Sequence, residues 1–107
     1  MTAKELHDKC MALQQEYDDK KSELRQQYAI EHNPVKVGDI VTDHYHTIRV
    51  DEMSVYGHPI PAMRYTGTEM TQKGVPKKHQ PFEPNPVFQH SIRIINSKPY
   101  KYEEDDV

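Results

Sequence analysis

Residues 4–31 contain no Gly or Pro and are dominated by Ala, Leu, Gln, Glu, Lys and Arg, which enter a helix at little cost. Apolar or aromatic side chains fall at Leu6, Cys10, Leu13, Tyr17, Leu24 and Tyr28, in steps of 4, 3, 4, 7 and 4. That spacing predicts a helix with a heptad seam, Lys20 standing at the seam position inside the step of 7. Thr2, with Glu5 three residues on, predicts a capping box at its start. Asn33-Pro34 predicts its end, because proline disfavours helix at the preceding residue. Such a helix spans about 40 Å, more than one small domain can cover. Its seam has two readings: the helix folds back on its own domain, or it pairs with another copy or another protein.

Past residue 34 the period shortens. Val35-Lys36-Val37-Gly38-Asp39-Ile40-Val41 alternates and turns at Gly-Asp. Residues 48–56 alternate as Ile48/Val50 and then shift phase to Met53/Val55, which predicts a bulge or tight bend near Asp51-Glu52. Met63 and Tyr65 predict a third strand stopped at Gly67, and Thr71-Gln72-Lys73-Gly74 predicts a turn. Pro76, Pro81, Pro84 and Pro86 mark a loop that cannot be a central strand. Val87-Phe88 and Ile92 to Ile95 supply the last apolar runs. Five short strands with irregular connections predict a small, strongly bent barrel. The expected class is therefore α+β: a helix over 1–33, a barrel over 34–98 and an acidic mobile tail over 99–107.

Composition narrows the classes. Leu, Ile, Val and Phe total 20 of 107 residues, a thin supply for a core, though 7 Tyr and 5 Met add apolar area. Net charge is -3, divided as -2 over 1–33, +2 over 34–98 and -3 over 99–107. No run approaches the roughly 18 apolar residues of a membrane span. The polar start Met1-Thr2-Ala3-Lys4-Glu5 lacks the apolar core of a signal peptide. The single Cys10 excludes an internal disulfide and a thiolate-rich metal site, so the expected setting is reducing and cytoplasmic, away from membranes.

The stretch Val35-Lys36-Val37-Gly38-Asp39-Ile40-Val41 resembles the segment leading into the first strand of SH3-like barrels, including bacterial SH3 and KOW-type groups. The resemblance implies an SH3-like five-stranded barrel. It covers seven residues, and the chain departs from peptide-binding SH3 domains in having no Trp. A charged helix ahead of a compact strand domain also resembles small accessory proteins of bacterial phages and mobile elements.

Seven histidines invite a metal reading, and Asp43-His44-Tyr45-His46 is the informative spacing. In a strand, His44 and His46 would share a face and could hold one divalent ion, with Asp39, His79 or His90 as a third ligand. No second tight ligand pair accompanies them, so surface histidines are the expectation, with no metal and no cofactor. A metal-dependent enzyme built on this pair is a distant alternative. No nucleophile elbow, phosphate loop or dinucleotide fingerprint is present, and no spacing fixes a carboxylate pair, which argues against an enzyme. Lys73, Lys77, Lys78 and His79, with Arg49, Arg64 and Arg93 and interleaved aromatics, keep a nucleic-acid or nucleotide binder as the main alternative, including an inhibitor encoded by a mobile element. The negative total charge weakens it. The expected function is a non-enzymatic interaction module, a homo-oligomer through its helix that binds a protein partner through the barrel. Tyr45, Arg49, Tyr56, Arg64, Lys77, Lys78 and Phe82 are the expected contact residues, Tyr and Arg being favoured interface anchors.

Overall fold

The computed structural model describes residues 1–103; the acidic run Glu104, Asp105 and Asp106 lies outside them. One helix, α1 (Ala3–Glu31), precedes six strands: β1 (Ile40–Thr42), β2 (Thr47–Tyr56), β3 (Ala62–Met70), β4 (Val87–Phe88), β5 (Ile94–Ile95) and β6 (Lys98–Pro99). The Cα trace extends 68 × 34 × 19 Å, because much of α1 projects from the sheet.

The helix forms for local reasons. Thr2 caps it, its hydroxyl oxygen accepting from the Glu5 amide at 3.1 Å. Gln14–Asp18, Gln15–Asp19 and Gln27–Glu31 hydrogen bonds and the Glu16–Lys20 ion pair, each between 2.9 and 3.1 Å, lace its surface at i,i+4. Each such pair contributes about 0.2–0.5 kcal/mol. Only Ala29 of the helix is buried. Arg25 donates to the Pro59 and Gly57 carbonyls, and Ala29 enters the core, so the last two turns anchor on the β2–β3 end of the sheet.

The sheet is antiparallel and open, with order β4-β3-β2-β1-β5-β6. This corrects the five-stranded barrel expected from sequence: closure needs the outer strands to meet, and β4 bonds only to β3 while β6 bonds only to β5. Two-residue edge strands cannot reach across to each other. Val35–Gly38 is not strand either. Val35 drops into the core, and Gly38 turns the chain at φ +95, with the Asp39 carboxylate accepting from the Lys36 amide at 2.9 Å. The predicted phase shift is present: Val50 pairs with Gly67 and Glu52 with Thr66, leaving Asp51 as the extra residue of a bulge. Gly67 does not stop β3 but lies within it, where a Cβ would run into the Arg49 carbonyl.

The core comprises Ala29, Val35, Val41, Ile48, Val50, Met63, Tyr65, Val87 and Ile92. Two polar side chains lock the helix end to it. Buried Gln89 accepts from the Met63 amide and donates to the His32 carbonyl, both at 3.0 Å, satisfying a helix-terminal acceptor. The Tyr65 hydroxyl donates to Asn33 Oδ1 at 2.5 Å, and the same oxygen accepts from the Val35 amide. Burial first, then the neighbouring Tyr100, pushes the Tyr65 hydroxyl well above the ordinary tyrosine range. Among the described residues no helix is long and apolar enough to cross a membrane.

Candidate interaction surfaces

Two surfaces stand out. The first is the projecting part of α1. Leu6, Leu13, Tyr17 and Leu24 are 55–67 % exposed along the heptad seam, with Met11 beside them at 58 %. Cys10, on the same seam, is an exposed free thiol. The helix therefore does not fold back on its own domain; up to Leu24 every residue is exposed. Helices in proteins draw most of their stability from packing an apolar face, and α1 packs only its last two turns on its own sheet.

The second surface is the side of the sheet opposite the core. The Asp51 bulge resets the alternation of β2, so Arg49, Glu52, Ser54 and Tyr56 all leave the core face, while Met53 and Val55 pack against the core. Arg64 opposes Ser54 on one side and Phe88 on the other, its Nε donating to the Ser54 hydroxyl at 3.2 Å. Tyr56 and Phe88 rings lie 4.7 Å apart, and Phe88 stacks on His90 at 5.8 Å. Phe88 also borders a cleft of about 420 Å³ lined by His44, Tyr45, His46, Asn85 and Pro86. Of the residues singled out from sequence, Tyr56 and Arg64 thus meet at Phe88, and Tyr45 lines the cleft that Phe88 borders.

The others do not join them. Arg49 is held further along β2 by Asp51 at 3.6 Å and the Thr68 hydroxyl at 3.2 Å. Lys77 faces Glu69 at 3.9 Å, while Lys78 and the fully exposed Phe82 lie in the proline loop. Two of the expected basic contacts, Arg49 and Lys77, thus each lie beside a carboxylate.

His44 and His46 do not occupy a strand. They belong to the four-residue link between β1 and β2, shaped by Asp43, whose Oδ1 accepts from the Tyr45 and His46 amides at 2.8 and 2.9 Å. His44 is exposed, and His46 turns inward. Its Nδ1 is 3.2 Å from Asp43 Oδ1, and its Nε2 is 3.3 Å from the Asn85 carbonyl and 3.7 Å from Glu69 Oε1. Both ring nitrogens face oxygen atoms, so the ring is held between the β1–β2 link, the proline loop and β3. Among the described residues no cluster of three or more His, Cys, Asp or Glu is arranged to hold a metal ion.

Glu69 and Gln80 escaped sequence reasoning. Glu69 pairs with Ile48 in the sheet and is 6 % exposed. The Gln80 side chain brackets its backbone, accepting from the Glu69 amide at 2.7 Å and donating to its carbonyl at 3.0 Å. A glutamine amide thereby takes the place of a strand on the free edge of β3, and the proline loop is pinned rather than loose. The only sequence trace of this is an acidic residue in an otherwise apolar phase of β3.

No family model, curated protein or solved structure matches the chain.

Proposed function

We propose that this protein is a non-enzymatic, cytoplasmic interaction module: α1 joins copies of the chain, and the Tyr56–Phe88–Arg64 face of the sheet, with the cleft beside Tyr45, docks a protein partner. The observation that carries it is the seam of Leu6, Leu13, Tyr17 and Leu24, all more than half exposed on a helix that reaches beyond its own domain. An apolar stripe of that length in water is covered by pairing. The exposed Cys10 thiol fits a reducing compartment. On the sheet, an aromatic pair rimmed by arginine and histidine has the composition of an interface centre.

The test is the mass in solution. The native chain should run as an oligomer, and the triple variant Leu6→Gln, Leu13→Gln, Leu24→Gln as a single 12.6 kDa chain with its sheet intact. A native chain that is already monomeric at tens of micromolar removes the assembly half of the reading. For the sheet, alanine at Tyr56, Arg64 and Phe88 together should abolish capture of the partner by the folded protein. Steep loss of binding between low and moderate salt would instead mark a nucleic acid as the partner.

A further inference from the structure

Positions 6, 10, 13, 17, 20 and 24 follow one another in steps of 4 and 3 and so form a single stripe along α1. The stripe is close to palindromic about position 15: Leu6 mirrors Leu24, Leu13 mirrors Tyr17, and the small Cys10 mirrors Lys20. Resting on the self-association argued above, we propose that two copies pair antiparallel through this stripe, Leu6 against the partner's Leu24, Leu13 against the partner's Tyr17, and Lys20 over the partner's Cys10.

Lys20 decides the orientation. A parallel pair in register would set Lys20 against the partner's Lys20 inside an apolar seam, where two ammonium groups repel and lose water together. Opposite the partner's Cys10 there is room for the lysine stem to run outward. Its Nζ already points to solvent, where Glu16 of its own helix holds it at 3.1 Å with both side chains well exposed. A single polar residue in a coiled-coil seam sets register in this way.

The flanking charges are evenly matched. Antiparallel pairing places Lys9 beside the partner's Glu23 on both sides and brings the two Glu16 side chains near each other at the centre, each next to its own Lys20. Parallel pairing would place Glu16 beside the partner's Lys21. Such exposed pairs contribute little either way.

Length points the same way. The free part of α1 runs from Ala3 to Leu24, and from Arg25 onward the helix is tied to the sheet. In the proposed register the partner's Ala3 falls opposite Gln27, so each helix begins where the other chain's sheet domain starts. The two sheet domains then occupy opposite ends of a rod, whereas a parallel pair would crowd both at one end.

Disulfide trapping of the full-length chain tests the orientation. In the antiparallel dimer the two Cys10 thiols are about 15 Å apart along the axis, so the native chain should stay uncrosslinked under mild oxidation. Lys20→Cys should convert most of the chain to a covalent dimer, and adding Cys10→Ser to it should return linking to background. Linking in the native chain, or linking that survives in the double variant, overturns the antiparallel arrangement while leaving self-association in place. A single-chain mass for the native protein before oxidation overturns self-association, and this register with it. Spin labels on Lys4→Cys in a Cys10→Ser background provide a readout that leaves the seam lysine untouched. Separation of about 30 Å or more supports the antiparallel pair, and separation below about 20 Å overturns it.

Discussion

Up to Leu24 the helix carries Leu6, Leu13, Tyr17 and Leu24 more than half exposed, while β2 and β3 hold Ile48, Val50 and Tyr65 at 0 % exposure. Both regions follow an apolar period, yet only the sheet finds a partner for it within the chain. The sheet domain is held by tertiary packing around nine buried side chains, Tyr65 the largest, and by the polar locks at Gln89 and Asn33. The projecting helix is held by its cap and its i,i+4 pairs, which are weak individually. The difference separates what stabilises the fold from what remains available for assembly.

The largest effect should come from the core. Ile48→Ala is expected to cost about 2–5 kcal/mol in urea unfolding, through lost burial and the cavity left behind. A loss under about 1 kcal/mol would mean that the sheet interior is not what holds the domain. Gly67→Ala should cost on the order of 1–3 kcal/mol, because the new Cβ meets the Arg49 carbonyl at the bulge and backbone must shift. Amide exchange in β2 and β3 should rise in that variant and stay unchanged in the first six turns of α1.

Tyr65→Phe should cost about 1 kcal/mol, since Asn33 Oδ1 keeps its bond from the Val35 amide. It also bears on the alkaline limb. Burial raises the Tyr65 hydroxyl, so the neutral form belongs to the folded state. Its contribution is whole below the ordinary tyrosine value of about 10 and is lost as pH climbs above it. Native protein should destabilise steeply above pH ~10, and Tyr65→Phe should flatten that limb. Asp39 works in the opposite sense: the Lys36 amide and then Asn96 lower its carboxyl, against some burial. Stability from it is present above about pH 3.9 and fades as pH falls further. Asp39→Asn should therefore shrink the gap between stability at neutral pH and in acid.

The smallest expected change in fold stability accompanies the largest change in assembly. Leu13→Gln touches nothing in its own sheet and should move sheet unfolding by no more than about 0.5 kcal/mol. The same variant should lower the mass of the oligomer, read by light scattering. A large stability loss without a mass change would place Leu13 in an intramolecular contact and erase the distinction between the two regions.

Elements built from near neighbours were legible. The cap at Thr2, the helix end near Asn33-Pro34 and the turn at Thr71–Gly74 depend on residues within four positions of one another, and the bulge beside Asp51 shows as a phase shift within one strand. The barrel was not, because closure depends on which distant strands meet. Apolar alternation in Val35–Val41 is the same whether the segment opens a barrel or, as here, turns at Gly38 into a three-residue strand between β2 and β5. The candidate site divides the same way. Tyr56 and Arg64 share a face once the bulge is counted, which sequence allows, but their meeting with Phe88 requires β4 to add to β3 across more than twenty residues of chain.

By itself, then, the chain determined a long capped helix with a heptad seam, a strand bent near Asp51 and a proline loop, since these follow from backbone preferences and side-chain period over short spans. Only the tertiary structure decided that the sheet stays open, that His46 turns inward to Asp43 and Glu69, and that the seam from Leu6 to Leu24 meets nothing in its own domain. Each of those outcomes depends on which distant groups come together, and local preference carries no information about that.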